Sequence, residues 1–320
     1  MKTIKQLCFL VALCFLTGCS KEETNNLRGD LLAVQFQSAY IAHTIQTRTT
    51  DGGNQWEADD QIGIFMKEAG DPLFSAIESN RKYKTDAEGN FTSDGEGQAL
   101  YWPQDGAAVD FIAYYPYQAN LSTPYTYKVD VSDQRNPAAI DLLYSNNATG
   151  KSKSKEAVVL TFNHQLTKVT MTLTKGKGVS DADLNAMTVA LTNMPTTADF
   201  SLANGTLSKK SNTVDITPEK VGQNYEAILI PKAAGANGKM TFKLRDETFS
   251  YTITDALEAG KQYNYTVTVT RKEVKVQTGE ISDWKPTYAF YQIGDSYPDA
   301  ENPIGIVFET SNGGRNGKIV

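Results

Sequence analysis

Cysteine is nearly missing from this 320-residue chain: its three, Cys8, Cys14 and Cys19, all fall within the first nineteen positions. Everything after residue 19 can therefore form no disulfide, hold no thiolate zinc or iron–sulfur centre and carry no cysteine nucleophile. Histidine is scarcer still, with only His43 and His164. A histidine-rich metal cluster is excluded, and a Ser-His triad would have to use one of these two. No G-x-S-x-G elbow, Walker loop or dinucleotide fingerprint stands where its chemistry needs it. The 37 acidic residues could supply a carboxylate pair, as any such chain could, so their number decides nothing. The expectation is a protein that is not an enzyme and uses no cofactor and no metal. Positive charge is also short. The net charge is −6, and loss of residues 1–18 with Lys2 and Lys5 would make it −8. An acidic chain offers no basic stripe for phosphates, so nucleic acid is excluded as a partner.

Long apolar runs are absent as well. The one near the start, Leu7 to Leu16, is about half the roughly 20 residues that a membrane-spanning helix needs. With Lys2 and Lys5 before it and small residues after it, it reads as a secretory signal over residues 1–18. It ends in Leu16-Thr17-Gly18-Cys19, which resembles a bacterial lipobox and makes Cys19 the expected lipidation site. The alternative is an ordinary signal peptide with an incidental cysteine. Residues 19–30, beginning Cys19-Ser20-Lys21-Glu22-Glu23, are polar and read as a tether.

From residue 31 onward, Thr, Tyr, Val and Ile recur with period-two alternation. The clearest runs are 157–162, 167–174, 187–191, 225–230, 240–244, 249–253 and 263–269. In 168–174, Val169, Met171 and Leu173 share one face and threonines occupy the other, as on a half-buried strand. Val109, Phe111 and Ala113 oppose Ile112 and Tyr114, so that strand needs cover on both faces. Turn signals stand at Glu88-Gly89-Asn90, Asp94-Gly95, Asn204-Gly205 and Asn237-Gly238. Ser180-Asp181-Ala182-Asp183 can cap a short helix. The fold class is all-β. The polar stretch 145–156 reads either as a boundary between domains at 31–150 and 151–286 or as a long exposed hairpin loop. His164, between two strand runs, reads as a residue fixing a turn.

Several segments resemble, in order, the fimbrillin family of Bacteroidota. They are Thr47-Arg48-Thr49 with Trp56 and Asp60-Gln61-Ile62-Gly63-Ile64-Phe65; Tyr101-Trp102-Pro103; Val109-Asp110-Phe111-Ile112-Ala113-Tyr114-Tyr115-Pro116; Asp141-Leu142-Leu143-Tyr144; Leu160-Thr161-Phe162-Asn163-His164; and Gly260-Lys261-Gln262-Tyr263 through Trp284. The Lys21-Glu22-Glu23 run is similar to the acidic tether of surface lipoproteins in the same bacteria. The resemblance implies two transthyretin-like β-sandwich domains in tandem and export as a lipoprotein. It also implies a lipid-anchored place on the surface of the cell outer membrane, in a fimbrium. A trypsin-like protease would remove the N-terminal strand, here within Leu31–Ile45, and a strand from another subunit would take its place. Cleavage would follow Arg48, with Arg28 as the other candidate; otherwise Arg48 is an ordinary loop residue. The implied partners are other fimbrillin subunits by donor-strand exchange, the outer membrane, and a host protein or glycan receptor.

Residues 287–320 extend beyond the resemblance. They read as a donor strand with Ile304, Ile306 and Phe308 alternating, or as the opening of an appended domain; dense Gly and Pro favours the second. A different function class is a glycan-binding lipoprotein that stacks sugars on Tyr101-Trp102, Tyr114-Tyr115-Pro116-Tyr117 and Tyr125-Thr126-Tyr127. Its mark would be a solvent-facing row of these rings. Core and cross-strand packing is the plainer use of them.

Overall fold

A computed structural model describes residues 31–38, 56–86, 89–121, 125–211, 214–222 and 224–284, and the backbone of short strands at 296–297, 305–311 and 316–319. The first strands are β1 (Phe36–Ser38), β2 (Gln61–Glu68), β3 (Glu78–Thr85), β4 (Asn90–Ser93), β5 (Val109–Tyr115), β6 (Thr126–Asp130), β7 (Leu143–Lys151), β8 (Val158–Leu160) and β9 (Asn163–His164). All except β6 join one eight-stranded sheet in the order β8-β1-β4-β3-β2-β5-β7-β9. Strand β5 is buried at every position. Its Val109, Phe111, Ala113 and Tyr115 enter one apolar cluster with Phe36 and Trp56, while Ile112 and Tyr114 enter a second with Tyr127 and Phe200. A strand with large apolar side chains on both faces needs cover on both, and here each face meets its own core.

The second cluster is built mostly on later strands: β10 (Thr167–Lys175), β11 (Thr188–Thr192), β12 (Thr197–Ser201), β13 (Thr206–Ser211), β14 (Glu219–Val221), β15 (Asn224–Leu229), β16 (Gly238–Leu244), β17 (Glu247–Ile253), β18 (Lys261–Val269) and β19 (Val274–Asp283). They make a five-stranded sheet, β14-β15-β10-β18-β19, and two three-stranded sheets, β11-β16-β17 and β13-β12-β6. Val169, Met171 and Leu173 are buried while Thr172 faces water, as their alternation requires. Ser180 caps helix α1 (Asp181–Ala186): its Oγ accepts from Asp183 N–H, and Asp183 reaches back to the Ser180 N–H. That reciprocal box satisfies two donors that a helix start leaves open.

Two local readings of the sequence differ from the structure. The stretch 145–156 is strand β7 as far as Lys151, paired with β5, and only 152–157 is a connecting loop. Asn237-Gly238 is not a turn tip, because Gly238 already pairs with Ile253 as the first residue of β16. The β16–β17 turn is Arg245-Asp246, with Arg245 at φ 54°. At Gly238 a Cβ would stand 2.3 Å from Met194 Sδ, so this glycine serves a close approach. The last strands, β20 (Ser296–Tyr297), β21 (Gly305–Ser311) and β22 (Asn316–Ile319), form a small antiparallel sheet in which β21 is paired on both edges. Among the described residues, no helix is long and apolar enough to cross a membrane.

Candidate functional site

The N-terminal strand is seated inside the large sheet rather than at its margin. Leu32, Val34, Phe36 and Ser38 alternate with Ala33, Gln35 and Gln37, and the first set turns inward. Val34 and Phe36 are 5% and 2% exposed. Phe36 packs edge-on against Tyr83 at 5.3 Å and Phe111 at 5.0 Å. Burying one phenylalanine and one valine contributes on the order of 3–6 kcal/mol.

Backbone bonds hold the segment on both sides. On one side, Trp102 N–H donates to Leu32 C=O at 3.0 Å, Val34 N–H to Leu100 C=O at 2.9 Å, and Ser38 N–H to Gly89 C=O at 2.7 Å. On the other, Val158 N–H donates to Gln35 C=O at 2.7 Å. The pairing is antiparallel with β4, Phe36 facing Phe91, and parallel with β8, Phe36 facing Val158. Taking this segment away would uncover two strand edges and an apolar floor at once. An open groove of about 940 Å³ runs beside it, lined by Val34, Phe36, Tyr83, Phe91 and Val159 among others. Tyr83 helps shape the floor: its Oη accepts from Leu100 N–H at 2.8 Å. Burial pushes its phenol up to about 12, so it stays neutral at physiological pH.

Trp56 fixes the chain after the undescribed stretch 39–55. It is 7% exposed and meets Phe91, Tyr115 and Phe162 edge-on at 5.2–5.4 Å. A cut after Arg48 would fall between two anchored points, β1 and Trp56. Arg48, Arg28, Cys19 and His43 themselves lie outside the described residues.

His164 sits in β9, opposite Leu143. Its Nδ1 is 2.9 Å from Asp141 Oδ1, both side chains are fully buried, and Trp284 stacks on its ring at 3.9 Å and 11°. That is the environment of a residue fixing structure, with no open space for a substrate. The aromatic segments weighed for sugar stacking are turned inward as well: Trp102, Tyr114, Tyr115 and Tyr127 are buried, and Tyr101, Tyr117 and Tyr125 are half-buried. Among the described residues, no group of His, Cys, Asp and Glu is placed to hold a metal ion.

Comparison with known proteins points the same way. A sequence model described as fimbrillin-like matches residues 47–284. A candidate fimbrium subunit of Bacteroides uniformis, Fim1C, is 33% identical over 300 residues, covering 89% of this chain and 96% of that protein. The crystal structure of a candidate cell adhesion protein from Bacteroides uniformis matches with a TM-score of 0.67 and 31% identity, over 79% of this chain and 98% of the other. A second, from Bacteroides ovatus, shares the fold with a TM-score of 0.63 at 22% identity, over 79% and 98% of the two chains.

Proposed function

The chain belongs to the fimbrillin-like family, and from that premise we propose that it is a fimbrial subunit or fimbria-associated adhesin, lipid-anchored at the outer-membrane surface and assembled by strand exchange. The observation that carries the exchange is the seating of residues 32–38 between two strands, parallel to one and antiparallel to the other. A strand bonded on both edges, with apolar side chains set into the core, is replaceable only by another strand of the same pattern. Unpaired edges beside an apolar floor attract such a strand. Cys19 carries the anchor, and cleavage at Arg48 frees the seat, whereas a cut at Arg28, which precedes residues 32–38, would leave β1 attached.

The tail 287–320 is better read as the opening of an appended domain than as the donor strand. Gly305 and Ile306 of β21 pair with β20, and Val307 and 309–311 pair with β22, so the strand is already engaged in its own small sheet; Ile304 lies outside the described residues.

The test is limited digestion of the exported chain with a trypsin-like protease, beside an Arg48→Ala variant. Loss of residues through Arg48 followed by detergent-stable ladders, both abolished in the variant, is expected. A cleaved chain that keeps its β1 fragment and stays monomeric would overturn strand exchange. A monomer that instead binds a glycan array would favour the glycan-binding lipoprotein.

A further inference from the structure

The five-stranded sheet ends differently on its two sides. One margin is β14, three residues long; the other is β19, ten residues long and the longest described strand. Strand β19 pairs with β18 along one edge, and among the described residues nothing pairs with its other edge. It contains no proline, and most of its residues are exposed, including Ile281 at 49%. Long open edges of this kind template the addition of another strand.

The pattern along β19 says which strand fits. Its pairing with β18 shifts register between Tyr263 and Tyr265, leaving an extra residue on β19 near Gly279. Before the shift, Val274 and Val276 lie opposite the buried Val269 and Val267, and Lys275 and Gln277 lie on the outer face. After it, Ile281 lies opposite the buried Tyr263, and Ser282 on the outer face opposite Gln262. The shift exchanges the parity of the two halves. A strand without it, laid full length and antiparallel against its own copy, would set inner residues against outer ones. With the shift at the middle, the faces agree.

We propose that the outer edge of β19 is a self-pairing interface, joining two copies of this chain antiparallel about a two-fold axis between Thr278 and Gly279. Val276 of each copy then lies across from Ile281 of the other, and Gln277 across from Glu280. Lys275 lies across from Ser282, with Glu280 as its diagonal neighbour, within reach of two long side chains. The positive charge sits in the first half of β19 and Glu280 in the second, so the two-fold brings opposite signs together twice. Among the described residues, the one ion pair of Lys275 is the exposed contact with Glu273 at 3.2 Å, and Glu280 has none. One face serving both partners is the usual form of a two-fold contact.

The proposal is independent of strand exchange, and its test separates the two. The full exported chain carrying Arg48→Ala, which cannot release β1, is examined by sedimentation over a concentration series with hydrogen exchange on β19. Dimers whose β19 amides gain protection with concentration are expected. Lys275→Glu and Glu280→Lys should each weaken the dimer by about tenfold or more, and the doubly swapped chain should recover to within about threefold. Both side chains are exposed, so unchanged thermal midpoints confirm that the variants fold. A chain that stays monomeric at about 0.5 mM would overturn the proposal. So would a dimer indifferent to the charge swaps, or β19 protection independent of concentration, which would mean that another part of the same chain covers the edge.

Discussion

Asp110 is the one carboxylate in the buried run of β5, and its surroundings explain why it is tolerated. Burial opposes its charge, but the Lys67 ammonium at 2.5 Å and the N–H groups of Gly70 at 3.0 Å and Gly150 at 2.7 Å outweigh that and hold it below the usual carboxylate range. A carboxyl whose folded pKa is depressed adds stability that is complete above its unfolded value of about 3.9 and is lost as pH falls through the folded one. Asp110→Asn should therefore cost about 3–5 kcal/mol near neutrality, as for a buried pair left with one partner. It should also flatten the loss of stability below about pH 4. Urea unfolding across a pH series measures both. Gly63 answers a steric demand instead: a Cβ there would stand 2.3 Å from Tyr114 Cε1 and 2.6 Å from Asn80 Oδ1. The Tyr114 hydroxyl donates to that Asn80 oxygen at 2.7 Å, so neither neighbour is free to move. Gly63→Ala should lower stability by about 1–3 kcal/mol, read from the denaturant midpoint.

Among the elements, β1 is held by Val34 and Phe36, which its period-two alternation turns inward. Phe36→Ala should cost about 3–5 kcal/mol. It should speed hydrogen exchange in β1, β4 and β8 while leaving β10 and β18 protected. Ser180→Ala removes a cap and should cost about 1 kcal/mol, visible as a small drop in thermal midpoint. Alternation marked β8, β10, β11, β15, β16, β17 and β18, because period two survives wherever one face meets water, and the need for cover on both faces of β5 was legible in Val109–Tyr115. The Ser180 cap was legible from residue type and spacing. The pairing of β1 with β8 was not, since period two says which face is inward but not which neighbour lies alongside. The burial of Asp110 was hidden for a related reason: its partners Lys67, Gly70 and Gly150 come together only in three dimensions. Arg245 in the β16–β17 turn escaped notice because arginine carries no preference for positive φ.

For the whole molecule, pairing runs across residue 150 in both directions. Strand β6 joins β12 and β13, while β8 and β9 join the first sheet. The stack of Trp284 on His164, braced by Asp141, ties the end of β19 to the same region. The domains that we propose at 31–150 and 151–286 should therefore unfold together, in a single calorimetric transition rather than two. Cys19→Ser should abolish incorporation of labelled fatty acid and release the chain from the membrane fraction, leaving that transition unchanged.

The connection from Ser38 to Trp56 gives the seat of β1 a further property. While that connection is intact, β1 meets its seat as part of the same molecule, and a covalently tethered segment commonly acts at an effective concentration of roughly millimolar order. Once it is cut, the same contacts face only the concentration of free strands around them. A single peptide bond then changes the competition for the seat from one that no outside strand can enter to one governed by how densely subunits crowd the surface. Growth would start where chains are gathered and stay silent where they are dilute.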